Sequence, residues 1–173
     1  SRFMRDMKDK VGWPGKLIIT WGQSKSDTVL EIADTLKDLC MMTQSSQSMD
    51  PDVLKNIKRR NIADEKWRKS VTFCQDRNID TYGELMIPLP GESLETYLTA
   101  VKYLMRLGVD FINTNPLILL EGAEMNTPEE REQYQMFTRW RLLENCYGVY
   151  SGRPVIEYQE MVLQTNTFSL EDY

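Results

Sequence analysis

Residues 82–108, YGELMIPLPGESLETYLTAVKYLMRLG, decide the fold class, because they read as a strand followed directly by a helix. The strand is predicted over Tyr82–Leu89, an apolar run that ends at a Pro-Gly break. Ser93 is the predicted N-cap of the helix, and Gly108 is its predicted C′ residue. The apolar face of the helix consists of Leu94, Tyr97, Leu98, Val101, Leu104 and Met105.

The same strand–helix pattern occurs three more times along the chain. Further strands are predicted at Lys16–Trp21, Cys40–Ser45 and Asp110–Asn115. The helices between them are predicted from about Thr28, where Thr28 and Glu31 form a capping box, from Asp50-Pro51, and over residues 64–77. Strands that alternate with helices favour an α/β fold with a parallel sheet. Four such units are too few for an eight-stranded barrel of about 250 residues, so they form half of a barrel or a small open sheet.

Polar or chain-breaking segments follow each predicted strand. They cover residues 22–24, 46–48, 88–92 and 119–122. Ligands of parallel α/β folds bind at the carboxyl ends of the strands. The sequence therefore predicts a ligand site at this edge of the sheet.

The C-terminal part is predicted to continue as a helix and a tail. Thr127-Pro128 is a helix start, and the spacing of Tyr134, Phe137, Trp140 and Leu143 suggests one helical face. Val155–Val162 fits either an edge strand or a short helix. We therefore expect residues 1–125 to form one domain and residues 126–173 to form a helical extension packed on it.

The composition is that of a folded globular chain and excludes several partner classes. The 173 residues are 41% hydrophobic and 27% charged, with a net charge of −5. An acidic chain of this kind is not expected to bind nucleic acid. No apolar run approaches the roughly 18 residues of a membrane helix, and the first residues lack the apolar core of a signal peptide. We therefore expect no membrane partner.

The chain has no histidine, which excludes catalytic triads and metal sites that need this residue. Its three cysteines, Cys40, Cys74 and Cys146, fit neither a disulfide framework nor the spacing of a zinc or iron–sulfur site. A reduced, cytoplasmic protein is the expectation.

Three groups of side chains near the strand ends are candidates for binding or catalysis. Gln44–Ser48 can hold a ribose or a carboxylate, or it can be an ordinary polar loop. Arg59-Arg60 can pair with a ligand carboxylate, or it can be a solvated helix end. The third group is acidic and can do acid–base work or be simply solvated: Glu84, Glu92, Glu121 and Glu124.

Three longer segments, in this order, resemble a known enzyme family. They are SQSMDPDVL at residues 46–54 with IKRRNI at residues 57–62, ELMIPLPGES at residues 84–93, and NPLILLEGAEM at residues 115–125. Together they resemble the radical S-adenosylmethionine (SAM) enzymes, and within them the class that often carries an N-terminal cobalamin-binding domain. The tail over residues 152–169 is also similar to the end of that catalytic module.

The resemblance implies a partial (β/α)6 barrel, of which this chain holds the later part. In such enzymes a [4Fe–4S] cluster reduces SAM, and the resulting 5′-deoxyadenosyl radical abstracts hydrogen from a substrate or takes part in methyl transfer. By resemblance, Gln47 and Ser48 lie by the ribose or the methionine moiety, and Arg59 pairs with the methionine carboxylate. Ile87 and Leu89 would line the adenine, and the backbone near Leu119 would hydrogen-bond to its edge.

The sequence departs from the family pattern in two places. The family's CxxxCxxC cluster motif is absent, and Pro88 stands where the family usually has glycine. We therefore expect the chain to be the C-terminal part of a longer enzyme, whose missing N-terminal part supplies the cluster ligands. By resemblance, that enzyme also uses cobalamin if it carries the cobalamin-binding domain of its class. The expected substrate is a small molecule of unidentified structure. The alternative is a degenerate, non-catalytic α/β interaction module, and a phosphate-binding barrel is disfavoured because no glycine-rich turn follows Gly122.

Overall fold

A computed structural model describes residues 1–17, 19 and 26–173. The elements up to the middle of the chain alternate between helix and strand, as expected for an α/β fold. They are α1 (Arg2–Val11), α2 (Ser26–Leu36), β1 (Met42–Gln47), α3 (Pro51–Asn56), α4 (Asp64–Gln75), β2 (Thr81–Ile87), α5 (Leu94–Leu107) and β3 (Phe111–Pro116). They are followed by β4 (Ile118–Leu119), a 3-10 turn at Glu124–Asn126, α6 (Pro128–Gln133), β5 (Phe137–Tyr150) and β6 (Arg153–Gln164).

The strands within the described residues form two three-stranded sheets. The first is parallel and has the order β1-β2-β3. Its register pairs Met42 with Thr81 and Gln47 with Leu85. The second sheet has the order β4-β6-β5, and both of its pairings are antiparallel. The predicted parallel α/β arrangement is thus confirmed for three strands, whereas the partial barrel stays a prediction.

The chain divides into two compact units, each built from several chain segments. The first unit comprises residues 1–47, 60–85 and 99–113. In its core, one face of α4 buries Trp67, Val71 and Cys74, whose spacing of three to four residues is that of a helix. The carboxylate of Asp110 accepts hydrogen bonds from the backbone N–H of Thr81 at 2.8 Å and from its hydroxyl at 2.7 Å, which holds the start of β2.

The second unit comprises residues 48–59, 86–98 and 114–173. Its core consists of five buried apolar side chains, from α3, the loop after β2, β4 with the residue before it, and β6: Val53, Leu89, Leu117, Leu119 and Val162. The backbone of Leu117 joins two of these segments. Its N–H donates to the carbonyl of Ile87 at 2.8 Å, and its carbonyl accepts from the N–H of Val162 at 2.9 Å.

Most predicted helix ends are confirmed. The Asp50 carboxylate caps α3, the Ser93 hydroxyl accepts from the N–H of Thr96 at the start of α5, and the Thr127 hydroxyl caps α6. Gly108 follows α5 with φ of 80°. The capping box at Thr28 is wrong, because α2 already begins at Ser26.

The predicted first strand, Lys16–Trp21, and the segment 22–24 lie largely outside the described residues. The second strand begins two residues later than predicted, at Met42. Within the described ranges, no helix combines the length and the apolar character needed to cross a bilayer.

The predicted C-terminal helical extension is wrong beyond Gln133. Residues 137–150 form β5, which pairs with β6 in a long hairpin. The hairpin turns at Ser151-Gly152, where both residues have positive φ, as a type I′ turn requires. Of the two alternatives for Val155–Val162, the strand is confirmed, and it lies between β4 and β5 rather than at an edge.

Candidate functional site

The loop after β1 begins with a break in the sheet register. The pairing shifts between Ser45 and Gln47, so Ser46 is an extra residue in β1. Gln47 has φ of 62° and a half-buried side chain. The hydroxyl of Ser46 is buried and has no hydrogen-bond partner within the described part of the chain. Bulges of this kind re-aim side chains at the end of a strand, and this one lies at the predicted ligand edge.

The second unit begins with a buried pair formed by Ser48 and Glu92. The Ser48 hydroxyl donates a 2.7 Å hydrogen bond to Oε1 of Glu92, and both side chains are completely buried. Oε2 of Glu92 is also buried but has no partner among the described residues. Burying a charged carboxylate costs free energy when only one of its oxygens has a hydrogen-bond partner.

The pKa of Glu92 reflects this environment. Burial raises it from the ordinary value of 4.5 to about 7. The hydrogen bond from Ser48 opposes this shift, whereas the nearby charge of Asp50 adds to it. The carboxyl group of Glu92 is therefore shielded from water and changes its protonation state near neutral pH.

A tight turn precedes Glu92 and connects β2 to α5. The N–H of Glu92 donates to the carbonyl of Leu89 at 2.9 Å, with Pro90 and Gly91 at the two central positions. Gly91 has φ of 83°, which is the conformation of the third residue of a type II turn. The Asn56 side chain donates to the Pro90 carbonyl at 3.0 Å, and a Cβ atom on Gly91 would lie only 2.4 Å from Asn56 Nδ2. The turn therefore needs glycine both for its backbone angle and for space.

The C-terminal tail contacts the same turn. The Thr167 hydroxyl donates to the backbone carbonyl of Glu92 at 2.7 Å. Thr165 and Phe168 beside it are buried. This hydrogen bond joins the Pro-Gly-Glu turn to a tail residue that lies 75 positions later in the sequence.

Arg59 lies just after the end of α3. Lys58 ends the helix with φ of 53°, and the N–H of Arg59 closes the turn on the carbonyl of Leu54 at 2.8 Å. The Arg59 side chain is exposed, and no described residue forms an ion pair with it. Lys58, in contrast, forms an ion pair with Glu124. Arg59 is therefore an exposed cation after α3, and its guanidinium is available to an anionic group.

The three apolar residues predicted to lie around adenine differ in burial. Leu89 and Leu119 are buried together in the core of the second unit, at 1% and 6% exposure. Ile87 is half-buried, and its carbonyl is used by Leu117. The predicted role of these residues around adenine stays a prediction, since both leucines are already packed against protein.

The four candidate acids do not form one cluster. Glu84 hydrogen-bonds with Ser45 in the first unit, Glu124 pairs with Lys58, and Glu121 is exposed. Only Glu92 combines full burial with a strongly raised pKa. Its hydrogen bond with Ser48 joins residues 44 positions apart. From the sequence alone, both residues are recognisable only as polar groups near strand ends.

Two curated proteins match almost the whole chain. The cobalamin-dependent radical SAM methyltransferase TokK from Streptomyces tokunonensis is 31% identical over 94% of the chain, and the match covers 24% of TokK. The 2-(S-pantetheinyl)-carbapenam-3-carboxylate methyltransferase from Streptantibioticus cattleyicolor is 31% identical over 100% of the chain, and the match covers 26% of that enzyme. The resemblance of this chain to radical SAM enzymes is thus confirmed by two homologues. It spans about a quarter of the length of these relatives, in their C-terminal portion.

No family model matches the chain, and the similar solved structures are more distant. The radical SAM methyltransferase TsrM from Kitasatospora setae, with tryptophan and a SAM analogue bound, has a TM-score of 0.49, with 24% identity over 66% of this chain and 23% of that chain. The same enzyme with cobalamin and a [4Fe–4S] cluster has a TM-score of 0.45, with 25% identity over 61% of this chain and 21% of that chain. The description of this chain's fold therefore rests on the strand order and register given above.

The cysteines of this chain do not fit an iron–sulfur cluster. All three are unpaired, and Cys40 and Cys74 are buried. Burial raises the pKa of the Cys74 thiol to about 12 and also raises that of Cys40, whereas iron ligation needs thiolates. Among the described residues no three Cys, Asp or Glu side chains converge as a metal site. Cys40, which we predicted to lie in a regular element, is in the loop before β1.

Proposed function

We propose that this chain forms the SAM-binding part of a cobalamin-dependent radical SAM methyltransferase. The observation that carries the proposal is the 31% identity to two such methyltransferases over at least 94% of the chain. Since the match spans about a quarter of each relative, the cluster and cobalamin belong to polypeptide outside the matched part in this proposal. Methyl transfer is the reaction named for both relatives; hydrogen abstraction is the alternative within the same family.

The residues of the loop region have the chemistry to hold parts of SAM. Arg59 offers an exposed guanidinium, which is the group that binds carboxylates most strongly, and it would pair with the methionine carboxylate. Gln47, half-buried after the bulge, offers an uncharged amide for the ribose or the methionine moiety. Bound SAM supplies either a radical or a methyl group to the reaction.

Ser48 has a different role in this proposal from the one that resemblance first suggested. Its hydroxyl is already engaged by Glu92, so it would hold the loop after β1 in place. Glu92, protonated below about pH 7, would keep the Pro-Gly turn rigid without placing a negative charge beside the methionine carboxylate. Ile87, which is half-buried, and the backbone near Leu119 would face adenine, whereas Leu89, which is packed in the core, would support this wall from behind.

SAM binding tests the proposal directly. We expect calorimetric titration of the chain with SAM to give saturable binding, and Arg59→Ala to weaken it by about 10-fold or more, the effect of losing a charge-assisted hydrogen bond. Arg60→Ala is the matched control, because Arg60 is the adjacent exposed arginine. Equal effects of the two substitutions would contradict the role of Arg59.

A non-catalytic α/β interaction module is the second candidate. The observation that favours it is that no three Cys, Asp or Glu side chains converge as a metal site among the described residues. If the folded chain does not bind SAM at millimolar concentration, while circular dichroism shows intact structure, this candidate takes precedence.

A further inference from the structure

The β5–β6 hairpin has one face that carries only apolar side chains over its outer part. Residues paired across an antiparallel ladder lie on the same face, and so do alternate residues of one strand. The register pairs Leu142 with Tyr158, Tyr147 with Ile156, and Val149 with Pro154. Together with Trp140 these residues form what we call the apolar face: Trp140, Leu142, Tyr147, Val149, Pro154, Ile156 and Tyr158.

The apolar face is exposed. The exposed fraction of its large side chains runs from 55% for Ile156 to 74% for Tyr147. Trp140 and Tyr158 contact each other edge to face, with ring centroids 5.2 Å apart, which is consistent with their position on one side of the ribbon. Along an antiparallel strand, side chains usually alternate so that those facing water are polar. On this exposed face of the hairpin they are apolar.

The same face is buried at the base of the hairpin. Glu160 follows Tyr158 by two positions along β6 and forms an ion pair with Arg131 at 2.5 Å. Val162, two positions further, lies in the core of the second unit with 0% exposure. The side of the ribbon that packs inside the protein at Val162 therefore continues outward, and none of the residues that the structure describes covers it there.

Four charged residues of the outer hairpin lie on the opposite face, whereas Glu144 lies within residues 143–146, where the register of β5 and β6 shifts and no pairing assigns a face. The register and the alternation place Arg139, Arg141, Arg153 and Glu157 there, together with Tyr150 and Val155. None of the residues that the register assigns to the apolar face between Glu160 and the turn is charged. An interface between two copies of these paired residues would therefore bring no like charges together.

We infer that the apolar face is the contact surface between two copies of this chain. Its six large side chains expose on the order of 800 Å², with aromatic side chains contributing most. A standard interface buries about 800 Å² on each partner, so one copy of the face supplies the area that a stable dimer needs. Two ribbons packed face to face at about 10 Å would interdigitate these side chains as two sheets do in a sandwich. This inference goes beyond the proposed function and does not rest on SAM binding.

Sedimentation velocity over a concentration series tests the inference. The chain has a mass of 20.3 kDa, and we expect twice this mass at about 100 μM, where an interface of micromolar Kd is populated. Tyr147→Lys and Ile156→Lys should each weaken dimerisation by about 100-fold, since every substitution occurs twice in a symmetric interface. The matched controls are Tyr150→Lys and Val155→Lys, which change exposed residues of the opposite face and should leave the dimer intact.

Three outcomes would overturn the inference. They are a wild-type chain that is monomeric at about 100 μM, a dimer that persists in both Tyr147→Lys and Ile156→Lys, and a mass that continues to rise above that of a dimer. Circular dichroism of each variant shows whether it is folded, and the wild-type mass decides the question by itself. A monomer would mean that another class of partner, or further polypeptide of the same enzyme, covers the face.

Discussion

Ser48 and Glu92 form a fully buried hydrogen bond of 2.7 Å between the loop after β1 and the loop after β2. Each residue follows a strand of the parallel sheet at the edge where ligands of α/β folds bind. The contact thus links the loops after β1 and β2 through a hydrogen bond that is shielded from water. The second carboxylate oxygen of Glu92 is buried and unpartnered among the described residues, so the protonation of Glu92 affects the stability of the fold.

Glu92→Gln should remove a pH dependence of stability. The folded-state pKa of Glu92 is about 7, above the ordinary 4.5, so folding favours the protonated form. Its stabilising contribution is complete below about pH 4.5 and falls as the pH rises to 7, by about 3 kcal/mol in all. We expect chemical denaturation to show Glu92→Gln gaining this amount relative to wild type between pH 4.5 and 8. Glu95→Gln, at an exposed position of α5, should show no such gain, and parallel curves for all three proteins would contradict the buried titration.

Gly91→Ala should destabilise the chain more than Gly122→Ala. Both glycines have positive φ, which costs alanine about 1 kcal/mol. At Gly91 the added Cβ also meets Asn56 Nδ2 at 2.4 Å and breaks the hydrogen bond to Pro90, whereas nothing lies within 4 Å of a Cβ at Gly122. We expect losses of about 3 and about 1 kcal/mol in the free energy of unfolding. Equal losses would mean that the Asn56 contact does not hold the turn.

Glu160→Gln should destabilise the second unit. Arg131 binds both oxygens of Glu160, at 2.8 and 2.5 Å, and Thr138 donates to one of them at 2.5 Å. Arg131 also lowers the pKa of Glu160, so this contribution is present above the ordinary pKa and is lost as the pH falls through the lowered one. We expect a loss of about 2 kcal/mol at pH 7, below that of a fully buried pair because a third of Arg131 is exposed. Glu124→Gln, which removes the exposed pair with Lys58, should leave the melting temperature unchanged.

The three thiols should react at very different rates in the folded chain. Cys74 is buried, and its pKa is raised from 9.0 to about 12, which reduces the thiolate fraction about 1000-fold. Cys40 is also buried with a raised pKa, whereas Cys146 is half-buried on β5. We expect iodoacetamide and intact-mass analysis to show one modification on the native protein, at Cys146, and three after denaturation. Fast native labelling of Cys74 would contradict its burial.

Helix starts were predictable from sequence because capping is a local interaction. The Asp50 carboxylate accepts from Asp52 and Val53, two and three residues away, and Thr127 caps α6 in the same way. Proline at the first helical position strengthens both signals. Such contacts need no information from distant parts of the chain.

The C-terminal hairpin was missed because two periodicities compete in the same residues. Tyr134, Phe137 and Trp140 fit one helical face, but Trp140, Leu142, Tyr147 and Val149 also lie on one face of a strand pair. The pairing with β6 decides between them, and that contact is not local. Ser151-Gly152 was the available signal, since serine and glycine with positive φ form a two-residue hairpin turn.

The candidate site was only half predictable. Polar strand ends and the Pro-Gly turn indicate where a ligand edge lies, and the structure has them at the ends of β1 and β2. The burial of Glu92 and its contacts with Ser48 and Thr167 depend on residues 44 and 75 positions away. No local pattern specifies such contacts.

An NMR titration with SAM tests the central claim most directly. At 20.3 kDa the chain gives a resolvable amide spectrum. If the chain is the SAM-binding part of a radical SAM enzyme, the shifted amides should cluster at residues 46–48, 59, 87–92 and 117–120. Arg59→Ala should reduce these shifts at equal SAM concentration. The absence of saturable shifts, or shifts confined to other parts of the chain, would contradict the claim.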